Sequence, residues 1–197
     1  MLTIHNGCDR LLIVIHEIYG INQYITDICN ELAAEGFDIL CSNLLEREVP
    51  FEYSEEKKAY HYFMENVGFT KGVNQIKKIL RYNQKNYSRI YILGFSVGAT
   101  IAWLCSEEPG LDGVVGYYGS RIRDYTELEP VCPVLLLVSA TEKSFTVPNL
   151  VTTLKKKSIS VKVYDAHHGF SDSYSSVYNE ELAEDARNTT LKFLLNN

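Results

Sequence analysis

Apolar positions along the chain fall into two alternating rhythms. Continuous apolar runs occur at Leu11–His16 (LLIVIH), Phe37–Cys41 (FDILC), Ile90–Leu93 (IYIL), Gly113–Tyr118 (GVVGYY), Pro133–Val138 (PVLLLV) and Ser160–Tyr164 (SVKVY). Short runs without regular polar alternation predict strands covered on both faces, as in a parallel sheet. Between them the apolar residues recur at helical spacing. Ile21, Tyr24, Ile25, Ile28, Leu32 and Ala33 line one helix, with Gly36 as its stop. Further helices are predicted at about Glu55–Asn66, Lys71–Tyr87 and from Ala99, then at Thr146–Lys156, with Pro148 in its first turn, and Asn179–Leu195. Strands alternating with helices predict one α/β domain over residues 1–197: a three-layer α/β/α sandwich around a mostly parallel, doubly wound sheet. In such sheets ligands gather at the carboxyl ends of the strands, so each candidate site residue should follow a strand.

Composition narrows the function. With 46% hydrophobic and 12% aromatic residues the chain is no disordered segment. A net charge of -6 gives no electrostatic reason to bind nucleic acid or anionic lipid, so neither is expected as a partner. No apolar run approaches the roughly 20 residues that span a bilayer, and the N-terminus lacks the basic stretch and small-residue cleavage site of a signal peptide. A cytoplasmic location is expected. The five cysteines are odd in number and have no CxxC spacing, which reads as reduced, buried thiols. No metal site or cofactor is expected. The first strand runs into HEIYG (His16–Gly20) and not into a glycine-rich phosphate loop, which speaks against nucleotide or flavin binding.

The chemistry centres on Gly94-Phe95-Ser96-Val97-Gly98, which joins the Ile90–Leu93 strand to the helix from Ala99. On composition alone GxSxG arises by accident in roughly one chain of this length in fifteen, so the strand before it and the helix after it carry the weight. In that setting the motif is the nucleophile elbow of α/β-hydrolases, and Ser96 is the candidate nucleophile. A serine hydroxyl needs a base, and the base needs an orienting acid, following the nucleophile in the order Ser, acid, His. Only His167 and His168 of the five histidines follow Ser96. His168 is preferred over His167, because Gly169-Phe170 follow it and the glycine lets the loop approach the serine. Glu142, in SATEKSF after the Pro133–Val138 strand, is the candidate acid, with Asp165 on the histidine's own loop as the rival. The oxyanion hole is expected from the backbone N–H groups of Val97 and Ile18.

HEIYG at His16–Gly20, GFSVG at the elbow, YYG at Tyr117–Gly119, HGF at His168 and the Ala59-Tyr60 pair together resemble the dienelactone hydrolase family over nearly the whole chain. The resemblance implies an α/β-hydrolase core, a cytosolic location and hydrolysis of small esters or lactones. It also implies that Glu17 contacts the resting nucleophile and helps manage its proton, although the founding enzymes carry cysteine where Ser96 stands. Those enzymes hold a substrate carboxylate with two arginines. At the corresponding places this chain has Asp172 and the segment Glu55-Glu56-Lys57-Lys58. Dienelactone itself is therefore not the expected substrate.

Only the short segment Ser120–Val131 separates two predicted strands where such hydrolases commonly insert a lid, so no lid domain is expected. The site should be open and shallow, walled by Tyr19, Tyr60, Phe63 and Tyr118, and suited to a small uncharged acyl or lactone group. These features support a serine-dependent hydrolase of small esters, lactones or thioesters. The alternative is a non-catalytic protein of the same fold that binds a small ligand or protein partner in the same cleft. A carboxylate bonded to His168 would separate the two.

Overall fold

Along the strand Arg10–Ile15 consecutive side chains enter different cores. Leu11, Ile13 and Ile15 join one apolar cluster, and Leu12 and Val14 join a second on the opposite side. Side chains alternate with period two, so a strand apolar at every position must be covered on both faces. The computed structural model describes residues 1–142, 145–157 and 159–197. Its strands are β1 (Leu2–Ile4), β2 (Arg10–Ile15), β3 (Asp38–Cys41), β4 (Arg89–Phe95), β5 (Gly113–Tyr117), β6 (Val134–Thr141) and β7 (Ser160–His167). They form one sheet in the order β1-β3-β2-β4-β5-β6-β7. β1 pairs antiparallel with β3, and all other pairings are parallel.

The helices are α1 (Gln23–Ala34), α2 (Glu56–Asn66), α3 (Gly68–Asn83), α4 (Val97–Cys105), α5 (Val147–Lys155) and α6 (Glu180–Asn196). Phe63, Ile76, Leu80, Ile101, Trp103, Leu150 and Leu154 bring α2 to α5 onto one face of the sheet. Tyr24, Ile25, Cys29 and Leu32 of α1, with Ala186 and Leu194 of α6, cover the other. This is the expected three-layer sandwich. The chain between β5 and β6 holds only a 3-10 stretch, Ser120–Tyr125.

The short edge strand β1 is an addition to the expected sheet. Buried Asp38 ties the turn after it, accepting hydrogen bonds from the Asn6 and Cys8 N–H groups at 2.9 and 3.0 Å and from the Tyr87 hydroxyl at 3.0 Å.

Two glycines let β4, α4 and β2 pass at backbone contact. A methyl group on Gly94 would lie 2.2 Å from the Gly98 carbonyl oxygen, and one on Gly98 would lie 2.4 Å from the Ile15 carbonyl oxygen. Backbone cannot rotate away as a side chain can. Gly94→Ala is expected to destabilise the fold by about 3 kcal/mol or more, read as a fall in the urea midpoint. An unchanged midpoint would mean that β4 and α4 are free to separate.

Candidate active site

Ser96 sits between β4 and α4 with φ 53° and ψ -113°, a conformation that L-residues rarely adopt. Its N–H donates to the Tyr117 carbonyl at 2.9 Å, which locks the strained turn to the neighbouring strand. Val97 is the first residue of α4, so its N–H has no acceptor inside the helix and points, with the positive end of the helix dipole, beside the serine.

β7 ends at His167, one residue before His168. Gly169 then turns the chain at φ 89°, and the buried Phe170 ring packs against Tyr164 and Tyr118 with centroids 4.9 and 5.8 Å away. So anchored, His168 places Nε2 2.9 Å from Ser96 Oγ. Its Nδ1 lies 2.9 Å from Glu142 Oε1, reached from the loop that follows β6. A continuous hydrogen-bonded chain runs from Ser96 through His168 to Glu142. The Glu142 side chain is 5% exposed, so the acid end of that bond is withdrawn from water. Burial opposes protonation of His168, but the Glu142 carboxylate, with Glu17 and Glu56 beyond it, outweighs burial and raises its pKa above the ordinary value. His167 is exposed at the end of β7, and Asp165 is exposed on the strand itself.

The loop after β2 carries His16, Glu17, Ile18 and Tyr19 beside this chain. Among the described residues the Ile18 N–H donates to no backbone carbonyl. Glu17 is 6% exposed, and its Oε1 has no hydrogen-bond partner. Burial pushes its pKa up to about 7, partly countered by the His168 charge and assisted by Asp172. Asp172 is itself buried and accepts from the Tyr53 hydroxyl at 2.6 Å and the Tyr174 N–H at 2.9 Å. It is therefore not a bare wall of the pocket. It binds the His168 loop to the 3-10 turn Tyr53–Glu55, whose Tyr53 ring lies 4.8 Å from that of Tyr19.

The expected pocket walls separate. Tyr19 is half-buried against Tyr53, and Tyr60 is exposed on α2. Phe63 is 0% exposed and packs on Phe69, so it is core and walls no open pocket. Tyr118 is also buried, at a positive φ of 41°, and supports the His168 ring at 4.9 Å between centroids instead of facing solvent. Helical spacing identified Phe63 as an inward residue but could not tell core from pocket.

Ser171, which carries no sequence signal, completes the surroundings. The Tyr118 and Tyr24 hydroxyls both bond Ser171 Oγ, at 3.1 and 2.8 Å. Tyr24 and Ser171 also line a cleft of about 580 Å³ on the opposite face of the sheet, between α1 and α6, which does not include Ser96. Among the described residues no group of three His, Cys, Asp or Glu side chains is placed to hold a metal ion.

A family model described as the dienelactone hydrolase family matches residues 6–197. The uncharacterized protein YczH of Bacillus subtilis is 39% identical over 175 residues, covering 87% of this chain and 86% of its own length. A candidate carboxymethylenebutenolidase of Saccharolobus solfataricus is 26% identical over 226 residues, covering 93% of this chain and 88% of its own. The crystal structure of a candidate dienelactone hydrolase from Klebsiella pneumoniae has the same fold, with a TM-score of 0.80 at 22% identity, and the match covers 96% of this chain and 88% of that one. The matched region takes in the whole parallel sheet and every residue of the Ser96 site, and the chain belongs to the dienelactone hydrolase family, as an α/β-hydrolase of the carboxylic ester and lactone type.

Proposed function

We propose that the protein hydrolyses small, uncharged carboxylic esters, lactones or thioesters through an acyl-enzyme on Ser96. The observation that carries this reading is the unbroken chain Ser96 Oγ, His168 Nε2, His168 Nδ1, Glu142 Oε1, with both links at 2.9 Å. Ser96 Oγ attacks the acyl carbon as its proton passes to His168 Nε2, and Glu142 stabilises the imidazolium that forms. The Val97 and Ile18 N–H groups hold the oxyanion. His168 then gives its proton to the leaving oxygen or sulfur, and the bond to the leaving group breaks. In the second half His168 takes a proton from water, the hydroxide attacks the ester of Ser96, and the acid product departs as the proton returns to Ser96. A pure binding protein would have no use for a buried carboxylate aligned on His168, and this favours the hydrolytic reading over the ligand-binding one.

Charge around the site narrows the substrate. Glu17, Glu56 and Asp172 all act on the groups lining it: Glu17 and Glu56 on His168, and all three on Tyr19. A substrate bearing a carboxylate, as the name carboxymethylenebutenolidase implies for the relative above, would meet repulsion here. Five free cysteines suit a reducing compartment, in keeping with a cytoplasmic enzyme.

A fluorophosphonate probe tests the reading directly. The folded protein should be labelled stoichiometrically, with the adduct mapping by mass spectrometry to the peptide that contains Ser96. A folded protein that remains unlabelled at high probe concentration would exclude an activated serine.

A further inference from the structure

We propose that His16 is a positioning residue for the oxyanion hole, fixing the plane of the peptide that supplies the Ile18 N–H. This rests on the serine-hydrolase reading above. His16 lies just after β2, is wholly buried, and touches neither Ser96 nor His168 through a hydrogen bond. Its two ring nitrogens instead meet two backbone groups. Nδ1 is 2.6 Å from the Glu17 carbonyl oxygen, and Nε2 is 3.0 Å from the Leu44 nitrogen.

Those partners determine the tautomer. A carbonyl oxygen can only accept, so Nδ1 carries the proton, and an amide N–H can only donate, so Nε2 is bare. Burial suits this neutral ring and lowers its pKa to about 4, against the backbone bond to Glu17, which favours protonation. The Leu44 N–H is shared with the Ser42 carbonyl at 3.1 Å, so the anchor of the ring is the turn after β3.

The Glu17 carbonyl and the Ile18 N–H belong to one peptide unit. That unit is planar and trans, so its C=O and N–H point in opposite directions. Pulling the oxygen toward His16 aims the hydrogen away from it. The same bond polarises the amide and makes its N–H a better donor. The loop has little else to hold this plane: the Gly20 N–H reaches the Glu17 oxygen at 3.4 Å, and the Phe51 N–H bonds the Tyr19 carbonyl beyond it at 2.8 Å. An oxyanion donor is effective only when its direction is set before the charge develops.

Two substitutions separate the two bonds, because an asparagine amide falls near the Nδ1 position of histidine and a glutamine amide falls near Nε2. His16→Asn can keep the donor to Glu17, whereas His16→Gln keeps the acceptor for Leu44 and loses that donor. With a neutral p-nitrophenyl ester, His16→Gln should lower kcat by about 10-fold to 100-fold with KM within about twofold, and slow fluorophosphonate labelling by a similar factor. His16→Asn should retain kcat within about threefold of wild type. Equal losses in both variants, or undiminished kcat in His16→Gln, would overturn the proposal. If either variant does not fold, imidazole 15N shifts of the wild-type protein decide. A protonated Nδ1 and bare Nε2 from pH 6 to pH 9 are expected, and the opposite tautomer would overturn it. Absence of both turnover and labelling in wild type is a separate result, since it removes the hydrolase reading itself.

Discussion

Replacing Ser96 by alanine is expected to lower kcat/KM for a neutral p-nitrophenyl ester by about 10⁵-fold or more while leaving the protein folded. On the proposed mechanism the site then keeps its oxyanion donors and its base but has no atom that can form the acyl bond. Stability should shift by less than about 1 kcal/mol, since alanine must adopt the same positive φ of 53° and only the hydrogen bond to His168 is lost. Fluorophosphonate labelling should vanish in parallel. A variant that turns over ester within tenfold of wild type, or that labels equally, would show that Ser96 is not the nucleophile.

Glu142→Gln should cost about 10³-fold to 10⁴-fold in kcat with little change in KM. A glutamine can present its NH₂ to Nδ1, which stabilises the tautomer carrying hydrogen on Nε2, and that tautomer cannot accept the serine proton. The pH profile gives an independent sign. The proposed mechanism requires neutral His168, so activity should fall as pH drops through its pKa in the free enzyme. Glu142 raises that pKa, so its loss should move the acid limb to lower pH. Asp165→Asn, at an exposed position on β7, should leave kcat within about threefold of wild type and the acid limb in place. If Asp165→Asn behaves as Glu142→Gln is expected to, the two carboxylates have exchanged roles.

Much of the frame could be read from residues alone, because the parallel sheet writes itself as unbroken apolar runs. The strands containing Leu12 and Ile92, each covered on both faces, have no alternation to confuse them with an exposed edge. β1 left no such trace: Leu2 and Ile4 are only partly buried and Thr3 is exposed, and its position depends on Asp38, a contact across more than thirty residues of sequence. At the site, the order of Ser96, Glu142 and His168 follows from each standing just after a strand. Their meeting does not, since it depends on Gly169 and on Phe170 packing against Tyr118. Tyr53 and Asp172 are 119 residues apart and share no local pattern, so their hydrogen bond was not legible. His16 was visible only as part of a motif. Its bond to the loop after β3 requires the third dimension.

Glu17 holds a buried oxygen without a partner. Such an atom costs a fold about 1–3 kcal/mol, so an apolar residue of similar size at position 17, such as methionine, should make the molecule harder to unfold. Screening a library for survival on heating and screening the same library for turnover would then diverge at this codon. With Glu17 serving the nucleophile as the family resemblance implies, the first would discard the acid and the second would retain it, and the disagreement between them would measure how much of the protein's durability is given up at the centre of its site.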